Sequence, residues 1–178
     1  MTLWTVGHST RSADEFVALL QAHQTELIAD VRRFAASRRH PHFSREQLEP
    51  MLASHRIDYA WMPALGGRRA PRKDSANTGW RVAAFRGYAD YMETPEFAEA
   101  LAVLLDIASA KRTAVMCAES LWWRCHRRML SDSLTVAGCS VAHLMEAGRR
   151  EPHRLTDAAR VEDGVLVYDV GQQDLLAT

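Results

Sequence analysis

Lysine is nearly missing from this chain: of 22 basic residues only Lys73 and Lys111 are lysine, and the other twenty are arginine. A guanidinium is a planar fork of donors, so the bias suits bidentate contacts to carboxylate or phosphate; codon bias in a GC-rich genome gives the same composition without function. Net charge is missing too, since 22 acidic residues balance the basic ones, and this excludes a uniformly basic nucleic-acid binder. The balance is not local. Residues 32–86 hold twelve basic and four acidic side chains, a charge of +8, and the rest of the chain carries −8. No run of eighteen apolar residues occurs, and the opening Met1 to Ser9 shows no basic stretch followed by an apolar one, so neither a membrane span nor a secretory leader is expected and the reading is cytoplasmic. Three cysteines, Cys117, Cys125 and Cys139, are too few for a disulfide framework, and reduced thiols are expected. Internal repeats and low-complexity tracts are also absent.

What is present is 178 residues at 47% apolar content, which suits one domain over residues 1–178 with a single long basic loop at about 66–79. Leu3 to Val6 reads as a strand, and Ser12 to Glu15 as a capping box opening a helix with Phe16, Val17, Leu19 and Leu20 on one face. Leu27–Val31 predicts a second strand, Ser44–Gln47 another capped helix, and Ile57–Met62 a third strand stopped by Pro63. Trp80–Met92 predicts a helix weakened at Gly87. Thr94-Pro95 starts a clearer one over Glu96–Ala108. Thr113–Met116 is a fourth strand, Trp122–Ala137 a helix closed by Gly138, and Ser140–Met145 a fifth strand; Arg160–Tyr168 alternates about Asp163-Gly164 as a hairpin. Strands separated by helices require crossovers, so the expected class is α/β, a three-layer sandwich with a mostly parallel sheet and helices on both faces.

In such a sheet, ligands bind outside the carboxyl ends of the strands. Those ends are polar here: Gly7-His8-Ser9, Asp30-Val31-Arg32, Gly66-Gly67-Arg68 and Cys117-Ala118-Glu119. The sharpest stretch runs from Cys117 to Cys125-His126-Arg127, which the spacing places in the first turn of the helix that follows the fourth strand. A thiol near a helix N-terminus and an arginine favours its thiolate, as a nucleophile or metal ligand requires, whereas a cysteine ending a buried strand also serves as a small hydrophobe. Cys139 is expected in the core.

Three mechanisms compete. A phosphatase-type loop needs Cys, five residues and Arg, and Arg124 lies one residue too late. A zinc site would draw Cys117, Cys125 and His126 with His8 or Glu119, but no Cys-x-x-Cys pair exists and seven residues separate the two thiols, so no metal is expected. The preferred reading is an anion or nucleotide pocket in which His126 and Arg127 bind and Cys117 or Glu119 supports chemistry. His8 suits acid–base work or an ordinary loop hydrogen bond, and Asp30 with Arg32 suits either catalysis or a loop-ordering ion pair. His40-Pro41-His42 reads as an exposed loop. Arg32, Arg33, Arg38, Arg39, Arg45, Arg68, Arg69, Arg72 and Lys73, interleaved with Phe34, Phe43, Trp61 and Trp80, compose a surface for phosphate and bases, or solvated loops paired with the acidic remainder.

Together Gly7-His8-Ser9, Asp30-Val31-Arg32 with Ser37, Phe43-Ser44, Leu65-Gly66-Gly67, Phe85 with Tyr88 and Met92, and Met116-Cys117-Ala118-Glu119 through Cys125-His126-Arg127 resemble the bacterial and archaeal domain-of-unknown-function family four-eight-eight. Leu121-Trp122-Trp123 is bulkier than the linker usual there. The resemblance implies an α/β sandwich and one site built from these strand ends, without an activity.

The reading that results is an enzyme acting on a phosphate-bearing small molecule, nucleotide or nucleic acid. Arg32 and Arg127 would bind the anion, Cys117, His8, Glu119 and His126 would supply chemistry, and Gly7, Ser9, Asp30, Gly66, Gly67, Arg68 and Cys125 would complete the site. The alternative is a noncatalytic nucleic-acid or nucleotide-binding module with structural cysteines. No cofactor and no membrane contact are expected.

Overall fold

The central strands are buried almost without interruption, residue after residue, so the sheet they form has to be covered on two sides. In the computed structural model, which describes residues 1–146, 148–162 and 164–169, the elements run β1 (Thr2–Gly7), α1 (Ala13–Ala22), β2 (Leu27–Asp30), α2 (Arg45–Ser54), β3 (Asp58–Trp61), α3 (Ala83–Met92), α4 (Pro95–Ala110), β4 (Thr113–Cys117), α5 (Arg127–Val136), β5 (Ser140–Glu146) and β6 (Arg149–Pro152), with a separate hairpin of β7 (Ala159–Glu162) and β8 (Val165–Tyr168). The main sheet has the order β3-β2-β4-β1-β5-β6. Its first five strands are parallel and β6 runs antiparallel to β5. Trp4, Val6, Ile28, Met116 and Leu144 pack with Phe16 and Leu20 of α1 and Leu48 and Leu52 of α2 on one face. Leu3, Ala29, Val115 and Val141 meet Tyr88, Phe97, Leu104 and Leu134 of α3, α4 and α5 on the other. The fold is α/β with three layers, as expected.

The chain leaves β1 toward β2 through α1 on one face, and leaves β4 toward β5 through α5 on the opposite face. Adjacent strands whose connections diverge in this way open a crevice at their carboxyl ends. That crevice lies between β1 and β4.

Local signals hold where the chemistry is backbone chemistry. Ser12 and Glu15 close the capping box of α1, and the Thr94 hydroxyl accepts from the Phe97 amide with Pro95 at the first helical position. Four expectations need correction. The helix expected from Trp122 is a single 3₁₀ turn, Trp122–Arg124, followed by an extended Cys125, and α5 starts only at Arg127. The Trp122 ring stacks on His143 of β5 at 4.0 Å, which holds that turn against the sheet. The helix expected from Trp80 begins at Ala83, because Trp80 packs against Phe85 and Tyr168 instead. Ser44 sits at the start of α2, but its hydroxyl does not cap it. His40-Pro41-His42 is no open loop: Pro41–Phe43 forms a 3₁₀ turn, and His42 packs on Phe43 and bonds the Arg11 carbonyl at 2.9 Å. Strands β7 and β8 pair as the alternation predicts; of the expected turn, Asp163 lies outside the described residues.

The basic stretch at 66–79 is ordered by one aspartate. Asp90 of α3 accepts from the Arg72 amide (2.8 Å), the Ser75 hydroxyl (2.6 Å) and the Asn77 amide group (2.9 Å). Although burial pushes its carboxyl up, those hydrogen bonds hold it below the usual range. Gly87 is what lets α3 approach this loop, since a Cβ there would lie 2.2 Å from the Arg69 carbonyl oxygen. Among the described residues, no helix is long and apolar enough to cross a membrane.

Candidate functional site

Gly7 pairs with Cys117 at the ends of the two central strands, and the ladder continues past them: the His8 amide donates to the Cys117 carbonyl and the Ser9 amide to that of Ala118, each at 2.9 Å. A Cβ at position 7 would lie 1.9 Å from the Glu119 carbonyl oxygen, so the loop after β4 folds over the end of β1 only because residue 7 is glycine. Beyond this crossing lies a cleft of about 720 Å³, within the roughly 300–1,000 Å³ of small-molecule sites. His8, Ser9, Arg32, Gly67, Arg68, Cys117, Glu119, Cys125 and His126 all line it. Four other residues picked from the sequence do not: Gly7 lies under the loop, Gly66 packs on the Arg33 backbone, and Asp30 and Arg127 are fully buried.

Asp30 and Arg32 form an internal pair. The Arg32 Nη2 donates to Asp30 Oδ2 at 2.6 Å and Nε to Oδ1 at 2.9 Å, while Nη1 donates to the Phe43 carbonyl at 2.8 Å. The Tyr59 hydroxyl donates to the same carboxylate at 2.6 Å, and burial beside Asp30 pushes that phenol up, so it keeps its proton. Arg32 thus orders its loop while lining the cleft. Arg127 is engaged likewise. Its guanidinium donates to Thr5 Oγ1 at 3.3 Å and to the Glu119 and Ser120 carbonyls, bracing the loop after β4 from behind.

His8 stacks on Phe43 with ring centroids 4.2 Å apart, its Nδ1 donates to the Ser9 carbonyl at 3.0 Å, and its Nε2 faces Arg32 Nη1 at 3.4 Å. Burial first, then the Arg32 charge, lowers its pKa to about 4. It is a neutral acceptor at pH 7.

Two sulfurs are part of the cleft lining. The thiols Cys117 and Cys125 and the Nδ1 of His126 lie within 4.8 Å of one another, with His126 Nδ1 3.6 Å from Cys125 Sγ and 4.0 Å from Cys117 Sγ. Seven intervening residues do not separate the thiols, because the 3₁₀ turn brings Cys125 back beside the end of β4. The Cys117 thiol is pushed up by its hydrogen bond to Cys125 and by burial; Cys125 is pulled down by accepting that bond, against burial and with help from His126 and Arg127. The third cysteine, Cys139, is buried in the core as expected.

Much of the remaining lining is basic. Arg33, Arg39, Arg68 and Arg124 are exposed there, and Glu119 is the one carboxylate among the described lining residues. Arg68 and Ser9 hold positive φ, +63° and +52°, although neither ends a helix; Gln24 and Arg56, which share the conformation, follow the caps of α1 and α2. Exposed Phe34 and partly buried Phe85 supply apolar wall.

A buried relay behind the cleft escaped the sequence reading. The Thr5 hydroxyl meets His143 Nδ1 (2.7 Å), His143 Nε2 meets His153 Nδ1 (3.0 Å), and His153 Nε2 meets Asp132 Oδ1 (2.8 Å). Arg127 donates to Thr5 at one end, the Asp132 carboxylate accepts at the other, and burial, then His153 and Arg127, lowers the pKa of His143 to about 3. The one sequence signal was a histidine at an inward position of the fifth strand.

The family model for the domain of unknown function DUF488 matches residues 12–134. No curated protein and no solved structure matches the chain.

Proposed function

The chain belongs to the DUF488 family, a domain of unknown function, and we propose that it is an enzyme acting on a phosphate-bearing small molecule or nucleotide. The observation that carries this reading is a small-molecule-sized cleft lined by four exposed arginines and by the Cys117–Cys125–His126 cluster. Arg33, Arg39, Arg68 and Arg124 take the anion in place of the engaged Arg32 and the buried Arg127. Arginine forks match phosphate oxygens in pairs. Phe34 and Phe85 offer faces for a base. The sulfur cluster is the reacting end, with Glu119 the group placed to move a proton and His8 a neutral acceptor beside it. The volume favours a small ligand over a polymer. Part of the +8 is also engaged within the chain, Arg69 over the Tyr91 ring at 3.6 Å and Arg72 on Glu93 at 2.6 Å.

Turnover and binding separate the roles. On a panel of nucleoside phosphates and phosphate esters, Cys117→Ser and Cys125→Ser are expected to abolish turnover while retaining binding, and Arg68→Ala to weaken binding about tenfold. Unchanged turnover in both cysteine variants removes the cluster from catalysis. Binding with no turnover by the wild type on any member of the panel favours a binding module instead.

A further inference from the structure

We infer that Cys117, Cys125 and His126 bind a thiophilic divalent metal ion, zinc by preference, with its fourth coordination position open to the cleft. The inference rests on the reading above only for what faces that fourth position.

Geometry carries it. Zinc bonds sulfur at about 2.3 Å and imidazole nitrogen at about 2.0–2.1 Å, so a tetrahedral ion holds its ligand atoms about 3.5–3.8 Å apart. His126 Nδ1 already stands 3.6 Å and 4.0 Å from the two sulfurs, and all three atoms fall within 4.8 Å. The two nitrogen–sulfur distances are within about half an ångström of that spacing, and the sulfurs are no more than 4.8 Å apart. The three ligands are held by different means, which keeps the separation set: Cys117 by sheet pairing to Gly7, Cys125 by its amide on the Trp122 carbonyl at 3.2 Å, and His126 by its place at the head of α5 and its edge contact with Tyr88.

The chemistry of the donors agrees. Two sulfurs and an imidazole are the set that selects zinc over magnesium or calcium, and no carboxylate is among them. The cysteines are unpaired, and all three residues line the cleft, so the vacant quarter of a tetrahedron faces ligand and not core. Two thiolates balance the charge of the ion, and Arg127 behind the loop remains paired to carbonyls. Three protein ligands and one open position are the arrangement of a catalytic rather than a structural zinc, in which bound water loses its proton near pH 7. A phosphate oxygen gripped by Arg68 or Arg124 would meet that position.

The test is metal content and affinity in the intact chain, purified reduced and without chelator. Elemental analysis is expected to give about one zinc per chain in the wild type and in Cys139→Ser, and a chromophoric chelator should have to compete for it. Cobalt(II) added to the stripped protein is expected to give a thiolate-to-cobalt absorption band, lost or shifted in Cys117→Ser and Cys125→Ser, and His126→Ala is expected to weaken affinity at least about 100-fold. Wild-type protein that holds no zinc and takes up none when reduced overturns the inference, as does a Cys117–Cys125 disulfide in protein kept anaerobic, or uptake indifferent to all three variants. Titration of the stripped protein with inorganic pyrophosphate keeps the two ideas apart. Anion binding without any metal uptake defeats only the metal; one tightly held zinc without anion binding defeats only the phosphate reading.

Discussion

Two histidines in this molecule are buried where a proton is unwelcome. His8 is held at about 4 by burial and Arg32, and His143 at about 3 by burial, then His153 and Arg127. Each has an ordinary value near 6.5, so the unfolded chain binds more protons than the folded one below that pH. Above pH 6.5 both states are neutral and the two histidines contribute no pH dependence. As pH falls from 6.5 toward 4, stability is lost at up to about 1.4 kcal/mol per pH unit for each. Thermal melts should be level from pH 8 to about 6.5 and then fall; a level melting temperature down to pH 5 would contradict the burial of neutral His8 and His143. The Asp30–Arg32 pair makes a second prediction at this scale. Asp30→Ala leaves a buried guanidinium without its carboxylate and is expected to cost about 3–5 kcal/mol by denaturant unfolding. These residues show what a sequence can and cannot disclose. Asp30 and Arg32 are two apart, so an ion pair was readable as one option, whereas His143, His153 and Asp132 meet only after β5, β6 and α5 have packed.

Among elements, strand and helix order was readable because periodicity and caps are local. The 3₁₀ turn at Trp122–Arg124 was not. It is held by a stack on His143, twenty-one residues away, and with it went the recognition that Cys125 returns to Cys117. The absence of a Cys-x-x-Cys pair argued against a shared role for these thiols, and the turn removes that argument. The crossing at Gly7 gives the prediction for this scale. Gly7→Ala forces the Glu119 carbonyl away and is expected to destabilise by about 1–3 kcal/mol while displacing the loop that leads from Cys117 to Cys125. Denaturant unfolding measures the first effect, and loss of the cobalt–thiolate band the second. An alanine variant with wild-type stability and spectrum would show that the loop does not need the glycine.

Across the whole molecule, a zero net charge conceals an arrangement. The +8 of residues 32–86 is partly consumed in ordering loops, by Arg32 on Asp30, Arg45 over Trp61, Arg69 over Tyr91 and Arg72 on Glu93. What remains is gathered at the switch-point cleft by Arg39 and Arg68, with Arg33, which also donates to the Arg68 carbonyl at 2.8 Å, and is joined by Arg124 from outside that span. Composition revealed the partition but not its distribution, because guanidiniums stacked on rings and those left free are identical in sequence. Anion binding here should weaken with salt, the logarithm of affinity falling with that of ionic strength as screening rises. The most direct measurement is calorimetric titration of pyrophosphate into the wild type and into an Arg33→Ala/Arg68→Ala double variant. Wild-type binding that falls about a hundredfold in the double variant, with the melting temperature unchanged, is the expected result. No binding by the wild type, or equal binding by both, contradicts the assignment of this cleft to a phosphate-bearing ligand.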